Sequence, residues 1–275
     1  VLYSELFAAH LEQLKTGELS TAVEALIEKA FAISRTQFWI KKNQPVRNAA
    51  GLKKFRRYFA RLLANEPLSY ILREKEFFGE KFAVNPAVLI PRPETELLVE
   101  KALGLIGNTP ARILDIGAGS GNISIIMALK SRSLVTALDM SRPALRVLKK
   151  NIARFALQKK VQALEADLFP KKSGLFKMII ANPPYLSKKD WDGLPPSIKC
   201  FEPRNALLAG AAGTEILEKI VAGAPGYLSP GGHLLLEIGQ GQHQTVLLFL
   251  AAANLRELEC VRDYQGIERV VVACR

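Results

Sequence analysis

A chain of 275 residues, 49% of them apolar, can bury a sizeable core and is long enough for one large domain or a large domain with a small companion. Its 38 basic residues against 26 acidic ones give a formal charge of +12, which favours an acidic or nucleic-acid-rich partner. No apolar run reaches the roughly 18 residues of a membrane span, and neither the cysteines (Cys200, Cys260, Cys274) nor the histidines (His10, His233, His243) have the spacing of a metal or nucleophile site. The start, VLYSELFAAHLEQLK, has no basic leader followed by an apolar block and a cleavage site. A soluble cytoplasmic protein with reduced thiols and no bound metal is therefore expected.

Residues 1–74 read as a helical domain. Leu2, Leu6, Ala9 and Leu14 recur at helical spacing, Ser20 suits an N-cap before TAVEALIEKAFAIS, and a third helix runs from about Asn48 to Ala64. Between Lys41 and Arg61 stand eight basic residues and no acid (Lys41, Lys42, Arg47, Lys53, Lys54, Arg56, Arg57, Arg61), either a partner-docking patch or a solvated helix face. Residues 75–90, KEFFGEKFAVNPAVLI, alternate around Gly79 and read as a β-hairpin linker. Next comes PRPETELLVEKAL, a Pro-bounded loop in which Thr95 or a preceding residue caps the following helix.

After Pro110 strand and helix signals alternate, so residues 91–275 are expected to form an α/β domain with a doubly wound sheet. Strands are predicted at 111–116, 134–139, 161–166, 175–181, 232–238, about 257–262 and 268–274, with Ser141 capping a helix. Only a short DYQG turn separates the last two strands, which predicts an antiparallel hairpin.

ILDIGAGSGNIS places Asp115, Gly117, Gly119 and Gly121 between a strand and a helix, where glycines allow a tight turn and let a ligand approach the backbone. A dinucleotide fingerprint would need glycine or alanine at position 122, which is Asn122. Asp115 beside the loop would repel a pyrophosphate and suits a ligand with an ammonium or sulfonium. Asp139 stands near the usual offset for a carboxylate that takes ribose hydroxyls, and Asp167 can accept from an adenine amino group while Leu168 packs on the ring. Three acids at successive strand tips fit adenosine with a cationic tail; the alternative is that they are ordinary helix N-caps.

Asn182-Pro183-Pro184-Tyr185 falls at the tip of the fourth strand, beside the first, and so faces the same crevice. A planar NH₂ nitrogen is a poor nucleophile that must be gripped and aimed. The Asn182 oxygen and the Pro183 carbonyl can each accept one of its N–H groups, and Tyr185 offers a flat, electron-rich face.

Together DIGAGSG, ANPPY, PRPETELLVE and FEPRNALLAG resemble the S-adenosylmethionine-dependent glutamine N5-methyltransferases that modify the Gly-Gly-Gln motif of peptide chain release factors. The resemblance implies a Rossmann-like class I methyltransferase sheet of seven strands with an antiparallel last strand, behind a helical substrate-recognition domain. It implies S-adenosyl-L-methionine as cofactor, with contacts on Gly117, Ala118, Gly119, Ser120, Gly121, Asp139, Leu168 and Asn182 beside the expected Asp115 and Asp167. The catalytic group would be Asn182, Pro183 and Tyr185, and the substrate would touch Asn182, Pro183, Pro184 and Tyr185. Arg92 and Glu94 either line the crevice or hold the loop and helix start. FEPRNALLAG, with Phe201 where the family commonly has Tyr, reads as a diverged packing segment. The implied partner is a class I release factor, met by a monomer that needs no membrane and binds no nucleic acid stably. Glutamine methylation of a ribosomal protein and N6-adenine methylation of nucleic acid are the alternatives, and a silent nucleotide-binding protein is the rival outside enzymes.

Overall fold

The computed structural model describes residues 1–11, 20–171 and 174–275. Leu14, read as part of the first helix, lies outside the described residues. The chain divides into two compact units, Val1–Arg73 and Glu74–Arg275.

The first unit is helical: α1 (Tyr3–Leu11), α2 (Ser20–Phe31), α3 (Arg35–Lys41), α4 (Ala49–Leu63) and α5 (Leu68–Leu72). Asn48 caps α4 by accepting from the Gly51 amide at 2.8 Å. Val23, Leu26, Ile27, Phe38 and Phe55 form its dry centre, each contributing roughly 1.5–3 kcal/mol through burial. On α4, Lys53, Arg56 and Arg57 are exposed. Arg61 is paired with Glu66 at 2.5 Å.

The second unit opens with an antiparallel hairpin, β1 (Glu74–Phe77) and β2 (Glu80–Ala83), turning through Phe78 and Gly79 at φ +54° and +76°. After α6 (Glu94–Ile106), strands and helices alternate: β3 (Arg112–Ile116), α7 (Asn122–Lys130), β4 (Leu134–Asp139), α8 (Arg142–Arg154), β5 (Val161–Glu165) and β6 (Phe176–Ala181). The short β7 (Leu186–Ser187), α9 (Lys188–Asp192), α10 (Pro196–Lys199) and β8 (Leu208–Gly210) follow. Then come α11 (Glu215–Gly223), β9 (Leu228–Glu237), α12 (His243–Ala252), β10 (Arg256–Arg262) and β11 (Glu268–Cys274).

Seven strands pair in the order β10-β11-β9-β6-β3-β4-β5, with β11 antiparallel to both neighbours. The expected α/β class, strand count and antiparallel final strand are all present. Alternation splits each strand between two cores: Ile113 of β3 packs with Leu98, Ile125 and Leu148 of α6, α7 and α8, while Leu114 packs with Leu217 and Val246 of α11 and α12. β9 begins at Leu228, ahead of the predicted 232, because the strand absorbs Pro230-Gly231-Gly232 as an irregularity: Phe176 pairs with Leu228 and Met178 with His233.

His243 is not isolated: α12 and the β10–β11 hairpin bring its Nε2 to 2.6 Å from Glu257 Oε1 and its Nδ1 to 3.4 Å from Glu268 Oε1, with Cys260 alongside. Residues remote in sequence meet here through strand pairing. Burial pushes the Cys260 thiol up to about 11, so it keeps its proton at neutral pH.

Candidate active site

The carboxyl ends of β3, β4, β5 and β6 surround a cavity of about 300 Å³, the position at which an open parallel sheet receives ligands. The chain after β3 brings Gly117 and Gly119, β4 ends in Asp139, the chain after β5 brings Asp167 and Leu168, and the chain after β6 brings Asn182, Pro183 and Pro184. Ala144, Ile216 and Ile220 add apolar wall.

The glycine loop is shaped by positive backbone angles at Gly117 (+73°), Gly119 (+55°) and Gly121 (+83°). A Cβ on Gly117 would meet nothing within 4 Å, so this stretch of backbone is bare toward the crevice. The loop is tied down by Ala118 N–H donating to Leu138 O (2.7 Å) and Gly119 N–H donating to Asp139 Oδ2 (2.9 Å). Asp139 Oδ1 accepts from Ser141 N–H at 2.8 Å. Burial raises the Asp139 carboxyl, and these two amides oppose that shift. A carboxylate has about four lone-pair sites, so two are left for ligand hydroxyls.

Leu168 sits at φ +61°, with Phe169 N–H donating to Asp167 O at 2.7 Å. A non-glycine residue in so tight a turn is strained, a feature that clusters at binding sites.

Several predicted residues stand away from the wall. Asp115 is fully buried behind the loop, its Oδ2 accepting from Ser124 Oγ at 2.5 Å, because the strand's alternation turns it toward α7. Burial pushes its carboxyl up to about 7, so it is not the exposed anion its spacing suggested. Ala118, Ser120 and Gly121 are also buried and support the turn from behind. Arg92 reaches Glu202 at 2.5 Å, and the same carboxylate accepts from Ile90 N–H at 3.1 Å. Arg92 thus binds PRPETE to FEPR, and its charge also reaches Tyr185. Glu94 lies half-buried in the first turn of α6, where the helix dipole favours an acid. FEPRNALLAG is more than packing, since Asn205, Ala206 and Leu208 line the cavity.

Thr95 does not cap α6. Pro93 holds the cap position, while the Thr95 hydroxyl donates to Glu237 Oε2 at 2.7 Å and accepts from Asn182 Nδ2 at 2.9 Å. Tyr185 is half-buried, and burial beside Glu237 pushes its phenol up to about 12, so the ring is neutral.

Asn151, Gln242, Glu202 and Glu237 were not singled out from the sequence. Gln242 Nε2 donates to Tyr185 O (2.8 Å) and Gly213 O (3.0 Å) while its Oε1 accepts from Gly239 N–H (2.8 Å), clamping three loops. Asn151 does the same for Ala83 and Ser120. Apart from Gly239, their partners are distant in sequence, so no local pattern marks these amides.

Residues 93–193 match the family model of the methyltransferase small domain, and residues 5–72 match that of the PrmC N-terminal domain. A release factor glutamine methyltransferase of Nitratidesulfovibrio vulgaris is 37% identical over 270 residues, covering 96% of this chain and 91% of the relative. One of Bordetella pertussis is 38% identical over 257 residues, covering 90% and 93%. Among solved structures, the hMettl16 catalytic domain in complex with a MAT2A 3′UTR hairpin has a TM-score of 0.59 at 17% identity, covering 75% of this chain and 78% of that one. The ribosomal protein L11 methylase of Lactobacillus delbrueckii subsp. bulgaricus has 0.52 at 18%, covering 67% and 80%. At such identities the structural likeness speaks for the fold alone.

Proposed function

The chain belongs to the release factor glutamine methyltransferase family, and we propose that its crevice brings S-adenosylmethionine and the side-chain amide of a release-factor glutamine together, methylating that amide at N5 within a Gly-Gly-Gln motif. The observation that carries this reading is the convergence on one cavity of the bare glycine loop, the Asp139 carboxylate and the Asn182-Pro183-Pro184 turn. When bound, S-adenosylmethionine supplies an electrophilic methyl on a sulfonium. Asp139 has lone pairs free for ribose hydroxyls, Asp167 for an adenine amino group, and Leu168 offers an apolar face to the ring.

The Asn182 oxygen and the Pro183 carbonyl accept the two amide hydrogens of the acceptor, which holds its nitrogen at a fixed attitude. Pro183 and Pro184 offer no amide hydrogen to compete and stiffen the turn. Tyr185, kept neutral, supports that turn through its backbone carbonyl on Gln242. No residue needs to remove a proton before transfer, since the methylated amide cation is strongly acidic and loses it afterwards. The helical unit would recognise the release factor, with the exposed cations of α4 as the docking face. No described helix is long and apolar enough to cross a membrane. The enzyme would act on its translation factor in the cytoplasm and as a monomer.

The test is transfer of labelled methyl to three acceptors in parallel: unmodified release factor, the same factor with its Gly-Gly-Gln glutamine replaced, and duplex DNA. Label on the first alone is expected. Label on DNA, or on none, overturns the acceptor assignment.

A further inference from the structure

Asn182 can serve an amide acceptor only with its oxygen toward the crevice; flipped, it would present N–H donors to a nitrogen that already carries two hydrogens. Two buried side chains decide which way it lies. Thr95 Oγ1 stands 2.7 Å from Glu237 Oε2 and 2.9 Å from the Asn182 amide, with Thr95 only 1% and Glu237 2% exposed. In its ionised form the Glu237 carboxylate only accepts, so the single hydroxyl proton of Thr95 then goes to Glu237 and its lone pair is left for a donor. The Asn182 atom against Thr95 is therefore the NH₂ group, and Oδ1 takes the opposite side.

We infer that Thr95 and Glu237 are positioning residues that lock the Asn182 side chain with its oxygen toward the acceptor amide, an assignment that rests on the acceptor proposed above. The three residues come from the first turn of α6, the end of β6 and the end of β9. Neither stability nor capping accounts for them. The cap position of α6 is Pro93 and makes no side-chain bond. A valine at 95 and a leucine at 237 would pack without burying a carboxylate, a burial that costs free energy and pushes the Glu237 carboxyl up to about 7.

The groups facing Glu237 show what is balanced there. Thr95, Asn182 and Arg269 of β11 favour the ionised form, whereas Glu94 of α6 opposes it. Tyr185 lies near enough to feel its charge and stays neutral. Once protonated, Glu237 could donate to Thr95, freeing the Thr95 proton for the Asn182 oxygen. The bias on the amide would then be lost.

Thr95→Val keeps the volume and removes the hydroxyl, while Thr95→Ser restores it. Valine is expected to lower kcat/KM for release-factor methylation about 10- to 100-fold, by analogy with the loss of an outer-shell hydrogen bond that orients a metal ligand. The Kd of S-adenosylmethionine should stay within about twofold, because the lost interaction serves the acceptor, and serine should recover most of the rate. In NMR of the side-chain amides, the Asn182 NH₂ pair, assigned by its loss in Asn182→Asp, should be protected from exchange in the wild type and the serine variant and unprotected with valine. An unchanged kcat/KM with valine, an equal loss of cofactor affinity, or an unprotected wild-type amide overturns the inference. A wild-type enzyme inert toward release factor overturns the acceptor reading instead, and the amide resonance still decides how Asn182 is held.

Discussion

The amide of Gly119 donates to Oδ2 of Asp139 at 2.9 Å, although twenty positions separate them. The carboxylate therefore braces the glycine loop before any ligand arrives, and it has two tasks where its spacing suggested one. Asp139→Ala should raise the Kd of S-adenosylmethionine about 10- to 100-fold, since hydrogen bonds to a charged group contribute roughly 1.5–3 kcal/mol. Asp139→Asn should fall between, because it keeps an acceptor for only one of the two backbone amides. Calorimetric titration measures both, and an unaltered Kd in the alanine variant removes Asp139 from the cofactor site.

Asn151 is fully buried and makes three bonds, accepting from Ala83 N–H at 2.8 Å and donating to Ala83 O at 3.0 Å and Ser120 O at 2.8 Å. Asn151→Leu would leave three backbone groups unpaired beneath β2 and the glycine loop. A loss of about 3 kcal/mol or more is expected, since each buried unsatisfied group costs roughly 1–3. The midpoint of urea unfolding should fall at constant m-value, and cofactor affinity should weaken with it through Ser120. An unmoved midpoint would show that water replaces the amide.

Two glycines of one loop should respond in opposite order to alanine. At Gly121 a Cβ would lie 2.3 Å from Leu148 Cδ1 and 3.3 Å from Ile125 Cδ1. At Gly117 it would meet no protein atom within 4 Å. Both alanines would be strained by a positive φ, roughly 1–2 kcal/mol, but only Gly121→Ala also overpacks the core, by about 1–3 kcal/mol. Gly121→Ala should show the larger drop in unfolding midpoint and Gly117→Ala the larger loss of cofactor affinity. The same ranking in both measurements would mean that the Gly117 backbone does not face the ligand.

What was legible in the sequence is local. Strand limits came within a residue or two wherever an apolar run ended in a turn, and failed at β9, where Pro230-Gly231 reads as a stop but is absorbed as a bulge. The glycine loop and the Asn182 turn announce themselves because their backbone needs are met by neighbours in the chain. Thr95 resembled a helix cap because caps are local, and nothing nearby tells of Glu237, 142 positions on. Asp115 misled for a related reason: its distance from the glycines fits a ligand contact, while the pleat of β3 turns it inward.

Charge on the helical unit gives a separate expectation. Lys53, Arg56 and Arg57 are exposed along α4, whereas Arg61 is already paired with Glu66. Reversing Lys53, Lys54, Arg56 and Arg57 together should slow association with release factor and flatten its dependence on salt, since exposed charges act chiefly on the encounter rate. Cofactor affinity should not change. Stopped-flow binding at two ionic strengths is the measurement, and an unaltered association rate would make this face a solvated one.

Asp115 should leave a signature in the pH dependence of stability. Its carboxyl is pushed up to about 7, chiefly by burial, while its hydrogen bonds from Ser124 oppose the shift and the nearby Asp139 charge adds to it. Its Oδ1 has no hydrogen-bond partner. In the unfolded chain the group titrates near 3.9. Between those values the folded state holds a proton that the unfolded state has released, so stability falls as pH rises from about 4 to about 7 and is flat above. The contribution is complete below the unfolded value and lost through the folded one. Asp115→Asn removes this titration, whatever fixed cost its amide brings, so the stability of the variant relative to wild type should rise between pH 5 and 8 by up to about 2–3 kcal/mol, each tenfold change in proton affinity being worth about 1.36 kcal/mol. Urea unfolding of both proteins at the two pH values gives that difference directly, with other titrating groups cancelling. Parallel curves would mean that Asp115 stays ionised in the folded protein and that its buried oxygen is hydrated.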